Sequence, residues 1–376
     1  MTALPDVHVG PLRIAPAFGV APMAGMTDTA FRRLVKRHGG CGLVVSEMVS
    51  AEGLVRGIDR TLEYAEFTEE ERPVSIQIFG GDPEKMAAAA EIVEGIGADA
   101  VDINMGCPVP KISKHHAGCS LMREPRHAAR IVGAMASRVR IPVTVKMRAG
   151  WSDREINAPE LARLVEDAGA AAVTVHGRTA EQAYTGSSDW SLIARVAERV
   201  RIPVFGSGDC VEPDQIIDRL RASNVSGVLV GRGVLRNPWI LAQAASRLTR
   251  EGRLDVTRRE RGAFLLAYID LLLRDPSEEQ AGFRHHAPAG AVPCRPGEVA
   301  GLPARGRERW VINKLRALNS WFTKGLEGGS HLRVAVNAAT SIAQLRATIE
   351  DFFFADEPVR DESLEADCVG SLPATD

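Results

Sequence analysis

The chain has 376 residues, 45% hydrophobic and 25% charged, with a formal net charge of −2. That composition is globular, with enough apolar material for one large domain and a smaller one. It excludes a global basic field for nucleic acid, though not a local basic face, and no apolar run approaches the roughly 20 residues that span a bilayer.

From about residue 17 to about residue 240, short apolar runs alternate with amphipathic stretches. The runs at 18–23, 43–48, 74–79, 100–104, 143–147, 172–176, 204–206 and 227–231 read as strands. The stretches at 28–38, 83–96, 125–138, 159–168, 190–200 and 213–221 read as the helices between them. This alternation predicts parallel strands joined by helices. About eight such units close a TIM (β/α)8 barrel, an α/β fold. An open doubly wound sheet is the alternative, but no GxGxxG fingerprint follows the first strand. The expected barrel domain is 1–240.

Beyond Pro238 the pattern turns helical, at 239–250, 258–274, 307–325 and 341–354, so a small all-helical domain is expected at 241–355. Within it, 276–306 is rich in proline, glycine and arginine and reads as a loop-like insertion. The tail 356–376 is acidic and reads as frayed.

The N-terminus lacks a charged segment followed by an apolar one, so no secretory signal is expected. Cys41, Cys107, Cys119, Cys210, Cys294 and Cys368 have no zinc-knuckle spacing and read as reduced thiols of a cytoplasmic protein, with no metal site.

Polar residues gather at the predicted strand ends. Pro22, Met23 and Ala24 close the first strand, and Gln77 lies near the end of the third. Asn104 and Cys107 follow the fourth, Lys146 and Arg148 end the fifth, and His176 ends the sixth. Ser207, Gly208 and Asp209 follow the seventh, and Gly231 and Arg232 the eighth. Taken singly, Lys146 reads equally as a surface lysine and His176 as a satisfied core histidine. Cys107 lies between Gly106 and Pro108, on a loop at the strand end where barrel chemistry happens. A thiol there can donate a proton or attack a carbon.

The last two loops suit a phosphate, because glycines admit backbone N–H groups to it and loops seven and eight are the usual barrel phosphate site. The alternative is two ordinary tight turns. Arg232 adds a planar fork that matches phosphate. A sugar phosphate or flavin mononucleotide (FMN) meets these requirements. Gln77 and Lys146 favour the flavin, since an amide reads its pyrimidine edge and an ammonium stabilises the anionic reduced ring.

Eight segments resemble the tRNA-dihydrouridine synthases, most of all the bacterial B-type subfamily. They are APMAGMTDTAFR at 21–32, QIFGGDP at 77–83, DINMGCPVPKISKHHAGCSLM at 102–122 and VKMRAGW at 145–151. VHGRTAEQAYTGSSDW at 175–190, GSGD at 206–209, VGRGVLRNPW at 230–239 and SWFTKGLEGG at 320–329 complete them. The resemblance implies reduction of uracil in the tRNA D-loop to dihydrouridine, with FMN as carrier and NADPH, or NADH, as hydride source. It implies a monomer with no protein partner and no membrane.

By the same resemblance Pro22, Met23 and Ala24 line the flavin, Gln77 and Lys146 bind its ring system, and His176 lies near the ribityl phosphate. Ser207, Gly208, Asp209, Gly231 and Arg232 hold the phosphate end. Cys107 is the general acid, and Asn104 and Arg148 orient the uracil. Lys111, with Lys114, His115 and His116 on the same loop, and Lys314, Arg316, Lys324 and Arg333, with Trp321 and Phe322 among them, are expected to meet RNA. Ser207 departs from the asparagine common in the family, and 276–306 departs from its usual direct run into the next helix. The competing readings are an FMN barrel dehydrogenase acting on a small molecule and a non-catalytic tRNA-binding relative.

Overall fold

The computed structural model describes residues 4–113, 116–249, 252–274 and 304–355. The predicted acidic tail, most of the predicted insertion, Lys114, His115, Cys294 and Cys368 lie outside them.

An antiparallel hairpin, β1 (Val7–Val9) and β2 (Leu12–Ile14), opens the chain and was not foreseen. Eight parallel strands follow: β3 (Phe18–Val20), β4 (Leu43–Val45), β6 (Val74–Phe79), β7 (Ala100–Met105), β8 (Val143–Arg148), β9 (Ala172–His176), β10 (Val204–Ser207) and β11 (Gly227–Val230). The two-residue β5 (Val49–Ser50) pairs with the far end of β6. The barrel closes because β11 pairs with β3, Val228 opposite Phe18 and Val230 opposite Val20. This is the predicted TIM barrel.

Side chains alternate across each strand. On β8, Val143, Val145 and Met147 are buried among the outer helices, while Thr144 and Lys146 line the barrel interior. Val9 and Ile14 of the hairpin plug the bottom, packed with Leu43, Val45, Ala172, Phe205 and Leu229. The helices start where the chain caps them: Asp28, Asp82 and Asp189 accept from Phe31, Lys85 and Leu192 N–H groups at the heads of Thr29–Arg37, Pro83–Gly95 and Trp190–Arg199. Gly206 is set by packing, since a Cβ there would lie 2.2 Å from the Trp190 ring.

After the short helix Arg232–Arg236 the chain continues as Ile240–Thr249, Arg258–Leu273, Ala304–Phe322, Gly329–Ala338 and Ile342–Phe354. Helix Gly329–Ala338 was not foreseen. Helix Ala304–Phe322 begins inside the stretch read as a loop, so 304–306 are helical. These helices share a core with the barrel wall. Phe264 meets Phe31 edge-on at 6.0 Å and stacks with Phe322 at 5.7 Å, and Trp239 stacks on His38 at 4.4 Å. Burial pushes His38 down to about 4, so it packs as a neutral ring.

A buried charge cluster adds to that core. Lys314 Nζ contacts Asp28 Oδ2 at 2.9 Å and Glu47 Oε1 at 3.3 Å, and donates to Gly25 O at 2.9 Å. Tyr268 donates to Asp28 at 2.8 Å, and Gly25 N–H donates to Glu47 Oε2 at 2.6 Å. Lys314 was expected to meet RNA phosphate. Its side chain is only 12% exposed and bound to two carboxylates, so it ties the helices to the loop after β3 instead.

Removing one partner of such a cluster leaves buried charge uncompensated. Lys314→Met is therefore expected to lower the unfolding free energy by about 3–5 kcal/mol, as measured by chemical denaturation at neutral pH. An unchanged midpoint would mean that Asp28 and Glu47 are solvated without it.

Candidate functional site

The parallel register stacks polar residues at the carboxyl ends of the strands. Gln77 lies opposite Asp102, Asn104 opposite Lys146, Lys146 opposite Thr174, and His176 opposite both Arg148 and Ser207. Because the side-chain period is two, the even-numbered positions of β7, β8 and β9 share one face. Asp102, Thr144, Lys146 and Thr174 line a common interior cavity. Gln77, 1% exposed, joins that face through its amide.

The buried amides form a connected series. Gln77 Nε2 donates to Asp102 Oδ2 at 2.7 Å, and Asn104 Nδ2 donates to Gln77 Oε1 at 2.7 Å. Asn104 Oδ1 accepts from the backbone N–H groups of Gly106 at 3.1 Å and Cys107 at 2.9 Å. Asn104 therefore holds the turn that carries Cys107. On the other side Cys119 N–H donates to Cys107 O at 3.1 Å, across a left-handed Gly118 (φ +63°) where a Cβ would come within 2.7 Å of that same oxygen. Cys107 is half-buried. Burial pushes its thiol up, with the Val109 backbone and Arg148 pulling against it, so the sulfur is protonated at neutral pH.

Arg148 is 4% exposed. Its Nε donates to Gly106 O at 2.7 Å and its Nη1 to Thr179 O and Ala183 O, both at 2.9 Å. It thus joins the Cys107 turn to the loop after β9 through carbonyls alone. Lys146 makes no hydrogen bond or ion pair among the described residues. Burial and the nearby Arg148 lower it to about 8, while Asp102 opposes them.

His176 donates through Nδ1 to Ser207 O at 3.1 Å. Burial first, then Lys146, Arg148 and Arg178, drive it down to about 2, so the ring is neutral and its Nε2 is an acceptor. That Nε2 is buried without a partner, which is not the satisfied core histidine allowed by the sequence.

At the ends of β10 and β11 the structure brings Ser207, Gly208, Asp209, Gly231 and Arg232 together, with an arginine that sequence reasoning missed. Arg178 donates to Thr185 O at 3.0 Å, Gly186 O at 2.7 Å and Asp209 Oδ2 at 2.8 Å. Its Nη1 is buried with no partner. Its only signal was its place two residues beyond His176 in VHGRT. Asp209, itself left-handed (φ +51°), also accepts from Ser188 N–H at 2.7 Å and pairs with Arg232 at 3.4 Å. Its carboxylate is thus engaged with two arginines. Pro22, Met23 and Ala24 form the rim across β11, where Ala21 N–H donates to Val230 O at 2.9 Å.

Tyr184, 61% exposed, was also missed. Its ring is 5.7 Å from the Arg148 guanidinium and 4.9 Å from that of Arg232. Arg232 in turn lies 6.0 Å from the Trp321 ring, which carries Lys324 Nζ at 3.8 Å. Cations and rings thus alternate from the barrel mouth to the helical region. Lys324 is exposed, as is Lys111 on the turn Pro110–Ser113. His116 pairs with Glu124 at 3.2 Å.

One further expectation is corrected, and two expected RNA contacts are found with partners inside the helical region. Phe322 is fully buried and offers no face for stacking. Arg316 donates to Ala339 O at 2.9 Å and Arg333 to Thr323 Oγ1 at 3.2 Å, both holding helices together.

Among the described residues, the site has a half-buried ammonium that makes no hydrogen bond or ion pair, a buried imidazole acceptor and a buried guanidinium donor without partners, and a glycine-rich rim. Those features fit a polar, anionic ligand seated across the strand ends. Among the described residues no cluster of three or more His, Cys, Asp or Glu side chains is placed to hold a metal ion.

A family profile described as dihydrouridine synthase matches residues 19–288. A probable tRNA-dihydrouridine synthase of Rickettsia bellii is 34% identical over 348 residues, covering 92% of this chain and 98% of that one. A tRNA-dihydrouridine synthase B of Xanthomonas axonopodis pv. citri is 41% identical over 239 residues, covering 64% and 72%. Among solved structures, histamine dehydrogenase from Rhizobium sp. 4-9 superposes with a TM-score of 0.52 at 13% identity, covering 71% of this chain and 51% of that one, which concerns the barrel fold alone.

A protonated Cys107 reacts slowly with an alkylating reagent, because the thiolate is the nucleophile. Iodoacetamide labelling of the Cys107 peptide is expected to be slow at pH 7 and to rise with pH through 9 and beyond. A rate already on its plateau at pH 7 would show a thiolate and remove the proton-donor chemistry.

Proposed function

The chain belongs to the dihydrouridine synthase family, and we propose that it is a flavin-dependent tRNA-dihydrouridine synthase reducing a uridine of the tRNA D-loop. In this reading 1–240 is the FMN-binding catalytic barrel and 241–355 is the helical tRNA-binding domain. The protein acts as a cytoplasmic monomer without a protein partner. The observation that carries the reading is the half-buried Cys107, its turn held by Asn104 at a barrel mouth that also contains the buried amide of Gln77 and Lys146, which makes no hydrogen bond or ion pair among the described residues.

FMN suits the donor set. Lys146 and Gln77 would face its ring system, and His176 Nε2 would accept a hydrogen bond from the ligand. Ser207, Gly208, Gly231 and Arg232 would hold its phosphate, with Asp209 and Arg178 bracing Arg232. Pro22, Met23 and Ala24 would line it through backbone contacts. A bound flavin would supply hydride chemistry toward uracil carbon 6, with NADPH or NADH as the source of reducing equivalents.

The chain's own residues do the rest. The target uridine is extruded into the barrel mouth, because its reacting carbons are hidden in the folded loop. Asn104 and Arg148 orient the base. Cys107 would donate its proton to carbon 5, where negative charge accumulates. A depressed thiol would have no proton to give, so the upward shift at Cys107 suits this role. Lys111 and Lys324 meet RNA phosphate outside the mouth.

The decisive test is optical. The purified protein is expected to be yellow, to bleach with NADPH, and to recover its colour on adding unmodified tRNA. A colourless protein that binds tRNA would favour a non-catalytic role, and recovery with a small molecule alone would favour a small-molecule dehydrogenase.

Two variants refine the test. Cys107→Ala is expected to keep its flavin and lose tRNA reduction by about 10²-fold or more, read as dihydrouridine by mass spectrometry; normal yield would overturn the acid assignment. Lys324→Glu is expected to weaken tRNA binding and flatten its salt dependence while NADPH oxidation stays as before. Unchanged affinity across salt concentrations would remove the helical region from RNA recognition.

A further inference from the structure

Asp102 stands beneath the residues assigned to the flavin and the base. It lies one layer deeper than Asn104 on β7 and is 4% exposed. Its Oδ2 accepts from Gln77 Nε2 at 2.7 Å and its Oδ1 from Thr144 Oγ1 at 2.5 Å. Gln77 and Thr144 are its partners in register on the two neighbouring strands, so the contacts are built into the barrel. Burial pushes the Asp102 carboxyl up, while the hydrogen bonds from Gln77 and Thr144 and the charge of Lys146, which lines the same cavity, pull against it.

With both oxygens accepting, Asp102 presents Gln77 with an acceptor and no donor. That property orders every amide above it. Gln77 must turn Nε2 toward Asp102, which leaves Oε1 facing Asn104. Asn104 must answer with Nδ2, at 2.7 Å, which leaves Oδ1 for the N–H groups of Gly106 and Cys107. Flipping any amide alone would set donor against donor or acceptor against acceptor in a buried place. Gln77 keeps one N–H and one lone pair free beyond these bonds, with their positions already decided.

We propose that Asp102 is a positioning residue which, by accepting from Gln77, sets through Asn104 both the amide presented to the cofactor and the backbone of the turn that carries Cys107. The inference rests on reading Gln77 as a flavin contact and Cys107 as the proton donor. It joins the two halves of the reaction: one carboxylate orients the group that meets the flavin and the group that meets the base.

The test compares Asp102→Ala, Asp102→Asn, Gln77→Ala and the Asp102→Ala/Gln77→Ala pair in the full-length protein. Asparagine keeps an acceptor for Gln77 and donates to the Thr144 hydroxyl, whereas alanine keeps neither. The measurements are the FMN dissociation constant, the absorption band of bound flavin, and the single-turnover rate of the pre-reduced enzyme with unmodified tRNA. Asp102→Ala is expected to shift the band, weaken FMN by roughly tenfold and slow the single turnover by roughly tenfold or more. Asp102→Asn is expected to stay within about threefold of wild type, and the pair to be no slower than Gln77→Ala alone, since coupled residues are not additive.

Wild-type behaviour of Asp102→Ala would overturn the inference. So would equal damage in Asp102→Asn, which would point to buried charge, or losses that multiply in the pair. If Asp102→Ala does not fold, Thr144→Val and Asp102→Asn carry the test. Thr144→Val frees Asp102 Oδ1 and is expected to shift the flavin band in the same direction, and an unmoved band with an unmoved rate would overturn the proposal. A wild-type protein that takes up no flavin or leaves tRNA unreduced would instead refute the functional reading, separately from the role of Asp102.

Discussion

Pairing of β11 with β3 is the constraint from which the rest of the molecule follows, because it turns an open sheet into a ring with no edge. Once the ring closes, every second side chain of eight strands points at one axis. The lower part of that axis is filled by Val9, Ile14, Phe205 and Leu229, which leave little room for water. The upper part holds Gln77, Asp102, Asn104, Thr144 and Lys146, whose polar groups must find partners among themselves or in a ligand. The amide series meets that demand for four of them. Lys146 makes no hydrogen bond or ion pair among the described residues, which suits a barrel mouth built to receive a ligand.

The electrostatics of the mouth are lopsided in the same sense. Lys146, Arg148 and Arg178 crowd the strand ends, and their charges reinforce burial in keeping His176 neutral. Arg148 is satisfied by carbonyls, which neutralise none of its charge. Asp209 is shared between Arg178 and Arg232. Positive charge therefore remains uncompensated at the mouth although the whole chain carries −2. Such a field favours an anion and a developing negative charge, and in low dielectric it does so more strongly than the same charges in water. Cys107 sits beside this field yet stays protonated because burial outweighs the pull of Arg148.

The helical region answers to two different demands. Lys314 and Tyr268 are committed to Asp28 and Glu47, so they anchor the region to the loop after β3. Phe264 completes that anchorage by packing against Phe31, with Phe322 stacked on Phe264. Trp321 and Lys324 face the other way, continuing the alternation of rings and cations that starts at Tyr184 and Arg148. Residues adjacent in the chain, Trp321 and Phe322, thus serve opposite purposes. Neighbours on a helix point about 100° apart, so one packs inward while the other meets solvent.

Legibility followed the range of the forces involved. Strand order, the loop position of Cys107 and the gathering of Gln77, Asn104, Lys146, His176 and Arg232 at one end were readable, because hydrophobic alternation and the Gly and Pro punctuation are local. The hairpin plug was not, since β1 and β2 are three residues each and make sense only against the barrel bottom. Arg178 and Tyr184 were missed because nothing in VHGRTAEQAY marks which residue turns inward. Lys314 was misread because a lysine seen alone reads as solvated, and its carboxylate partners lie more than 260 residues away along the chain. By itself, then, the sequence determined the barrel, the succession of its strands and the chemical types available at their ends, through periodicity and turn chemistry. Only the tertiary structure decided which cations stand free, which way each buried amide faces and which aromatic rings meet solvent, because those depend on contacts between residues that the chain brings together solely by closing the barrel.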